Sequence, residues 1–320
     1  MILHSAQACI RNQAALVLGL VLSSYPGTAS AQQNPYSGTL LASIRAAAKS
    51  VPGPRPRELR YIGVAETRLP LSSAVAGADT QRVSGDFPAF QIRFADRWIM
   101  VDAALDSSVM IQTYGPGAAD RFSRARFDSL QLALRDADLV VLTHEHVDHA
   151  NGVQRGAYFR QVAAKTLLSS AQHHSLVSPP ARATSQMASR AISQMSPDSA
   201  SVFRVVEYDL LYSLAPGVVL VRAPGHTPGS QFVYVQLADG REVLLVGDLV
   251  WNMLGLTANT QKPQPMSDNL KEDRVAIQRE MDWVRSIMTS IAVAPSHDNG
   301  RLDALVAQGL LHIGLDLHRN

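Results

Sequence analysis

Cysteine is nearly absent from this sequence: 320 residues contain one, Cys9. It lies in a leader-like stretch. Arg11 precedes the apolar run AALVLGLVL at 14–22, and SSYPGTASAQQ follows, with Ala29, Ser30 and Ala31 as a cleavage site. A basic flank, a short apolar core and an A-x-A site are the marks of a secretory signal peptide. Residues 1–31 are therefore expected to be removed, and the mature chain to be periplasmic or secreted. Cys9 would leave with them, so the mature protein has no disulfide, no thiolate metal ligand and no cysteine nucleophile. No cysteine follows the apolar core to carry a lipid anchor.

Long apolar runs are lacking as well. The core at 14–22 is too short to span a bilayer, and no later segment is apolar enough to do so. No stable membrane anchor is expected. Neither sign of charge is in surplus: 29 basic side chains face 27 acidic ones, or 28 against 27 without Arg11. That balance argues against a nucleic-acid partner, which a strong basic excess would attract. What remains is ordinary globular composition, 46% hydrophobic and 18% charged, in a chain long enough to bury a large core.

Residues 32–57 are small, polar and proline-rich. They read as an N-terminal extension with a short helix at 40–49 and an extended linker ending in VPGPRPR. The main domain is placed at 58–320. Its first half shows strand texture in LRYIGVAETRL, AFQIRFA and RWIMVDAAL, then helical spacing of Phe127, Leu130 and Leu134, then the apolar strand DLVVLT. The second half reads KTLLSS, FRVVEYD, GVVLVRAP, SQFVYVQL and REVLLVGD as strands, the last two joined by an ADG turn. A helix is expected over 269–288, a strand at IAVAPSH and a closing helix from about 301 to 309.

Three of the ten histidines fall within six positions, in THEHVDHANG at 143–152. If the strand runs on, His144 and His146 share a face. Asp148 and His149 follow in the turn and can aim at a second point. Two adjacent ligand groups from one segment suit a pair of metal ions. Such a pair needs further donors. His226 in APGHTPGS, Asp248 in LLVGD and His297 in VAPSHD each stand where an apolar strand ends, which is where α/β folds place their sites. A buried carboxylate such as Asp248 is costly unless paired or metal-bound. The His297–Asp298 pair can also be read simply as a cap on the next helix.

Together, His144, His146, Asp148, His149, His226, Asp248 and His297 resemble the full motif set of the metallo-β-lactamase-fold hydrolases. The resemblance runs over about residues 59–314. It implies a mixed α/β fold, a four-layer αβ/βα sandwich with the site at the open edge between two sheets. It implies that His144, His146 and His226 hold one cation, that Asp148, His149 and His297 hold the other, and that Asp248 bridges. It also implies that Asp102, in WIMVDAA, braces the metal loop. The cofactors expected are two divalent ions, Zn2+ first, with Mn2+, Fe2+ or Co2+ as alternatives. Two departures stand out. HANG replaces the commoner HAGG, with Asn151 at the first glycine. Trp251 stands where acyl-homoserine-lactone lactonases carry a substrate-contacting tyrosine, and an indole has no phenolic hydroxyl to donate.

The expected activity is hydrolysis of a small-molecule ester or lactone by a hydroxide bridging the two ions, with Asp148 and Asp248 as the catalytic carboxylates. Alternatives within the superfamily are a β-lactamase, a thioesterase and an organophosphate hydrolase. Outside hydrolysis, a metal-binding or redox protein is the alternative. His146 stands where diiron relatives carry a glutamate, which favours hydrolysis. Candidate substrate contacts are Trp251, Met253 and Leu254, with core packing as the other reading. A weak polar helix at 181–195 is a candidate lid carrying Met187, Arg190 and Met195, or else an ordinary surface helix.

Overall fold

The computed structural model describes residues 34–178 and 194–319. The expected signal segment, the proposed lid and Arg190 lie outside them; Met195 lies within and packs partly buried against the core.

The strands are β1 (Glu58–Pro70), β2 (Arg82–Arg93), β3 (Trp98–Val101), β4 (Leu139–Val141), β5 (Thr166–Ser169), β6 (Arg204–Val206), β7 (Leu211–Ala215), β8 (Val218–Arg222), β9 (Gln231–Gln236), β10 (Glu242–Gly247), β11 (Ala292–Pro295) and β12 (His312–Ile313). They form one sheet in the order β12-β1-β2-β3-β4-β5-β6 and a second in the order β11-β10-β9-β8-β7. Strands of the second sheet alternate strictly. Val218, Leu220, Val233, Val235, Val243 and Leu245 face Phe90, Ile92, Val101 and Val141 of the first sheet. Their neighbours Val219, Val221, Phe232, Tyr234, Leu244 and Val246 face outward, under helices. Both faces are covered, so these strands are apolar throughout rather than alternating with polar residues.

Ile277, Met281 and Val284 of the helix Arg274–Ile287 cover the outer face of the second sheet, with Leu40, Leu41 and Ile44 of the helix Leu40–Ala47. The first sheet is covered by Leu130, Ala133 and Leu134 of the helix Arg124–Asp136, packed on Val64, Trp98, Met100 and Val140. Helix, sheet, sheet, helix is the four-layer sandwich expected.

Three local expectations are corrected. The single helix over 269–288 is two elements, because Lys271 adopts a left-handed conformation (φ 64°) that ends the helix Gln264–Leu270, and Asp273 then caps the next helix. β4 ends at Val141, so His144 and His146 stand in a loop past the strand. Asp148 and His149 are not in a turn but on the first helical turn of Val147–Gln154.

Candidate metal centre

All seven histidine and carboxylate candidates converge at one edge of the two sheets. His144 and His146 arrive from the loop after β4, His226 from the loop after β8, Asp248 directly after β10 and His297 just past β11. β10 and β11 run parallel, with Gly247 beside Pro295, which sets Asp248 and His297 on neighbouring strand ends. Gly247 turns the chain with φ +53°, where a side chain would be strained. The two sheets are stitched together here: Gln231 of β9 donates its backbone N–H to Thr143 O at 2.8 Å and its side-chain amide to Leu142 O at 2.7 Å.

The donor atoms separate into two groups. His144, His146 and His226 form one; Asp148, His149, Asp248 and His297 form the other; within each, the donor atoms lie within 4.8 Å of one another. Asp248 faces both. Its Oδ1 is 3.3 Å from His149 Nε2 and 3.2 Å from His297 Nε2. Its Oδ2 is 3.6 Å from His226 Nε2 and 3.9 Å from His144 Nε2. Asp148 Oδ2 is 3.5 Å from His297 Nε2.

The outer nitrogens are engaged, which turns lone pairs inward. His149 Nδ1 donates to Asp102 Oδ2 at 2.9 Å, His297 Nδ1 to Asp86 O at 2.7 Å and His226 Nδ1 to Glu272 Oε1 at 2.7 Å. The Thr143 hydroxyl donates to Asp102 Oδ2 at 2.8 Å and receives His144 Nδ1 at 3.1 Å. Asp102, itself held at φ 63°, thus sits beneath the motif loop.

Several inward atoms have no ordinary partner. His144 Nε2, His149 Nε2 and Asp248 Oδ1 are buried without a hydrogen bond among the described residues. His146 Nδ1 and His226 Nε2 face each other at 3.1 Å, two basic nitrogens aimed at one point. Burial first, and then the neighbouring imidazoles, push His144 and His146 well below the ordinary histidine range, so both are neutral donors at neutral pH. Burial opposes charge on Asp248, but His297 and His149 outweigh it and hold the carboxyl well below its usual range. Neutral His144 and His146, an ionised Asp248 and orphaned inward atoms fit two divalent cations bound by nitrogen and oxygen.

Of the candidate substrate contacts, Trp251 borders the centre. Its Nε1 donates to Asp248 Oδ2 at 2.7 Å. It also lines a cleft of about 60 Å³ whose wall includes Leu69, Val83, Phe87 and Tyr114, and whose lining takes in Asp148 and His297. Met253 packs partly buried against the second sheet's outer core, and Leu254 is exposed; neither lines this cleft. Asp298 does cap the next helix, accepting from Arg301 N at 3.0 Å, while His297 turns to the centre. Asn151 accepts from Asp106 N at 2.7 Å, so it ties the motif helix to the loop after Asp102. A larger surface cavity of about 580 Å³, walled by Phe122, Phe127 and Tyr158, includes none of the seven donors.

Sequence reasoning missed Thr143, Lys262, Glu272, Tyr114 and the hairpin residues of the cleft. Thr143 opens the histidine motif but is not itself a metal-ligating type, the others sit in no spaced motif, and Glu272 reaches His226 across 46 positions.

Fold and site together define a metal-dependent hydrolase. The chain belongs to the metallo-beta-lactamase superfamily, whose family model matches residues 89–273. No curated protein is significantly similar to it in sequence. Among solved structures it is similar to an N-acyl homoserine lactone hydrolase with the product N-hexanoyl-L-homoserine bound at its catalytic metal center. That match has 16% identity and a TM-score of 0.56, and covers 78% of this chain and 96% of that one. A probable metal-dependent hydrolase from Staphylococcus aureus matches at 15% identity and TM-score 0.58, over 77% of this chain and 91% of that one. A dizinc quorum-quenching lactonase matches at 17% identity and TM-score 0.53, over 79% and 92%. At these identities the likeness is one of fold.

Proposed function

We propose that this protein is a periplasmic or secreted hydrolase that uses two divalent ions, zinc foremost, to cleave an ester or lactone bearing an apolar arm. The observation that carries the reading is Asp248, whose two oxygens face two separate donor clusters beside an apolar cleft. Two bound cations at such a site supply an ionised water near neutral pH and polarise a carbonyl oxygen. The chain's own residues do the rest. Leu69, Val83, Phe87 and Tyr114 take the apolar arm and keep bulk water from it. Asp148, about one-fifth exposed and part of the cleft lining, accepts a proton on its carboxylate as the nucleophile attacks. Asp248 keeps the clusters in register. Lactone hydrolysis is further supported by the fold shared with lactonases. Export is supported by the leader-like residues 1–31.

The test is a purified chain assayed for metal content and for turnover of lactones, aryl esters, cephalosporins, thioesters and phosphotriesters. About two metals per chain with lactone or ester turnover is expected, and Asp248→Ala should lose both activity and metal. Turnover of cephalosporins alone would replace the ester reading. N-terminal sequencing of exported protein, expected to begin near residue 32, tests the localisation.

A further inference from the structure

Lys262 is 3% exposed, and the side chain of its partner Glu272 is fully buried. Burying an ion pair costs more hydration than its attraction commonly returns, so a pair kept this deep calls for a reason. The surroundings supply one. Lys262 Nζ donates to Glu272 Oε1 at 2.7 Å and to the backbone carbonyl of Asp248 at 2.8 Å. The same ammonium lies 5.1 Å from the centre of the Trp251 ring. Glu272 Oε1 also receives His226 Nδ1, and Trp251 Nε1 reaches Asp248 Oδ2. A closed circuit results: Asp248, Trp251, Lys262, Glu272, His226. It joins donors from two different loops, one after β10 and one after β8.

We propose that Lys262 and Glu272 are positioning residues that set the cation affinity of the His144–His146–His226 cluster and leave the other cluster nearly untouched. The proposal rests on reading the two clusters as metal sites. Glu272 accepts the Nδ1 proton of His226, which fixes the tautomer whose Nε2 lone pair points at His144 and His146. Lys262 balances the charge of Glu272, so the bracket adds an acceptor behind the imidazole without adding net negative charge. Through the Asp248 carbonyl, the same ammonium fixes the backbone that aims Oδ2 at this cluster. The second cluster has different support. Its histidines are held by Asp102 and by Asp86 O, and Asp148 and Asp248 Oδ1 are its own carboxylates. The asymmetry is therefore built in: His226 of the first cluster rests directly on the Lys262–Glu272 pair, and neither histidine of the second cluster does.

The test is a zinc titration of the metal-stripped full chain against a competing chromophoric chelator, read as two stepwise dissociation constants. Lys262→Met alone strands a buried carboxylate, so the deciding variant is the paired Lys262→Met/Glu272→Gln, which removes both charges at similar volume. Tenfold or greater weakening of one constant is expected. It should be the constant that His146→Ala abolishes, with the other staying within twofold of wild type. Equal weakening of both constants, or no change in either, overturns the proposal. So does failure of the paired variant to fold, since the pair would then belong to the stability of the core. Wild-type protein that takes up no zinc would overturn the metal reading itself, and is told apart from these outcomes because it needs no variant.

Discussion

Asp102 Oδ2 lies 2.9 Å from His149 Nδ1, with both side chains shielded completely from solvent. The carboxylate also receives the Thr143 backbone N–H at 2.6 Å, so one acid orients a ring and pins the loop before it. Asp102→Asn keeps the size but turns an amide donor toward groups that need an acceptor. Outer partners of ligating histidines typically contribute about ten- to hundredfold in metal affinity. A loss of that size at the cluster holding His149 is expected, measured by equilibrium dialysis with zinc. Undiminished zinc binding would show that Asp102 does not orient the ring.

Gly152 packs against the loop after Asp102. A Cβ placed there would come 1.9 Å from Ala103 O, a backbone atom with no freedom to swing away. Gly152→Ala is expected to destabilise the fold by roughly 1–3 kcal/mol or more, the usual range for overpacking. Thermal melts of metal-stripped protein would register it; an unchanged midpoint would mean the loop moves freely.

Glu280 is buried and accepts Gly225 N at 2.9 Å. Burial pushes its carboxyl from 4.5 up to about 8. The folded chain thus keeps a proton that the unfolded chain releases above about 4.5. Between those two values the fold binds more protons, so stability falls as pH rises, by a few kcal/mol in total on the usual scale of about 1.4 kcal/mol per pH unit. Glu280→Gln is neutral throughout and still accepts from Gly225. Its melting temperature is expected to match wild type near pH 5 and exceed it at pH 9. Parallel curves for the two proteins would refute this.

The apolar wall of the cleft makes a separable prediction. Val83→Asp puts a charge among Leu69, Phe87 and Tyr114, and Val83 is itself no donor of either cluster. KM for an apolar-armed ester or lactone should rise about tenfold or more, since a lost apolar contact is worth roughly 1–3 kcal/mol. Metal content should not change. A raised KM for short polar substrates to the same degree would argue against a pocket for the arm.

Metal removal should also be visible without any substrate. Ligands that bind only the folded state stabilise it by mass action. Chelation is expected to lower the melting temperature by several degrees, with recovery on zinc addition, checked by differential scanning calorimetry. A midpoint indifferent to chelator would deny the clusters a tightly held ion.

The donors were legible because chemistry and chain punctuation coincide at them. An apolar strand stops, and a histidine or aspartate follows at once, as at Asp248 and His297. The four layers were legible only through the resemblance of the donor motifs to a known fold; the strands by themselves showed as apolar runs, which is what cover on both faces requires. The helix break at Lys271 was not, because the apolar spacing of Leu270 with Ile277 and Met281 continues across it. The brackets were not legible either. Lys262 and Glu272 read as surface residues by type, and only tertiary packing buries them. Tyr114 sits on the helix Ser107–Tyr114, which carries no strong apolar stripe to announce itself.

The β1–β2 hairpin supplies Leu69, Val83 and Phe87 to the cleft, yet it contributes no side-chain donor to either cluster. On the proposed reading, reagent and recognition are carried largely on different stretches of chain, which meet where Asp86 O of β2 receives His297 Nδ1. On that reading, drift at the side chains of Leu69, Val83 and Phe87 would retune which molecules are accepted while the donor set stays intact, so new substrates would be within reach of a few changes at one edge of the protein.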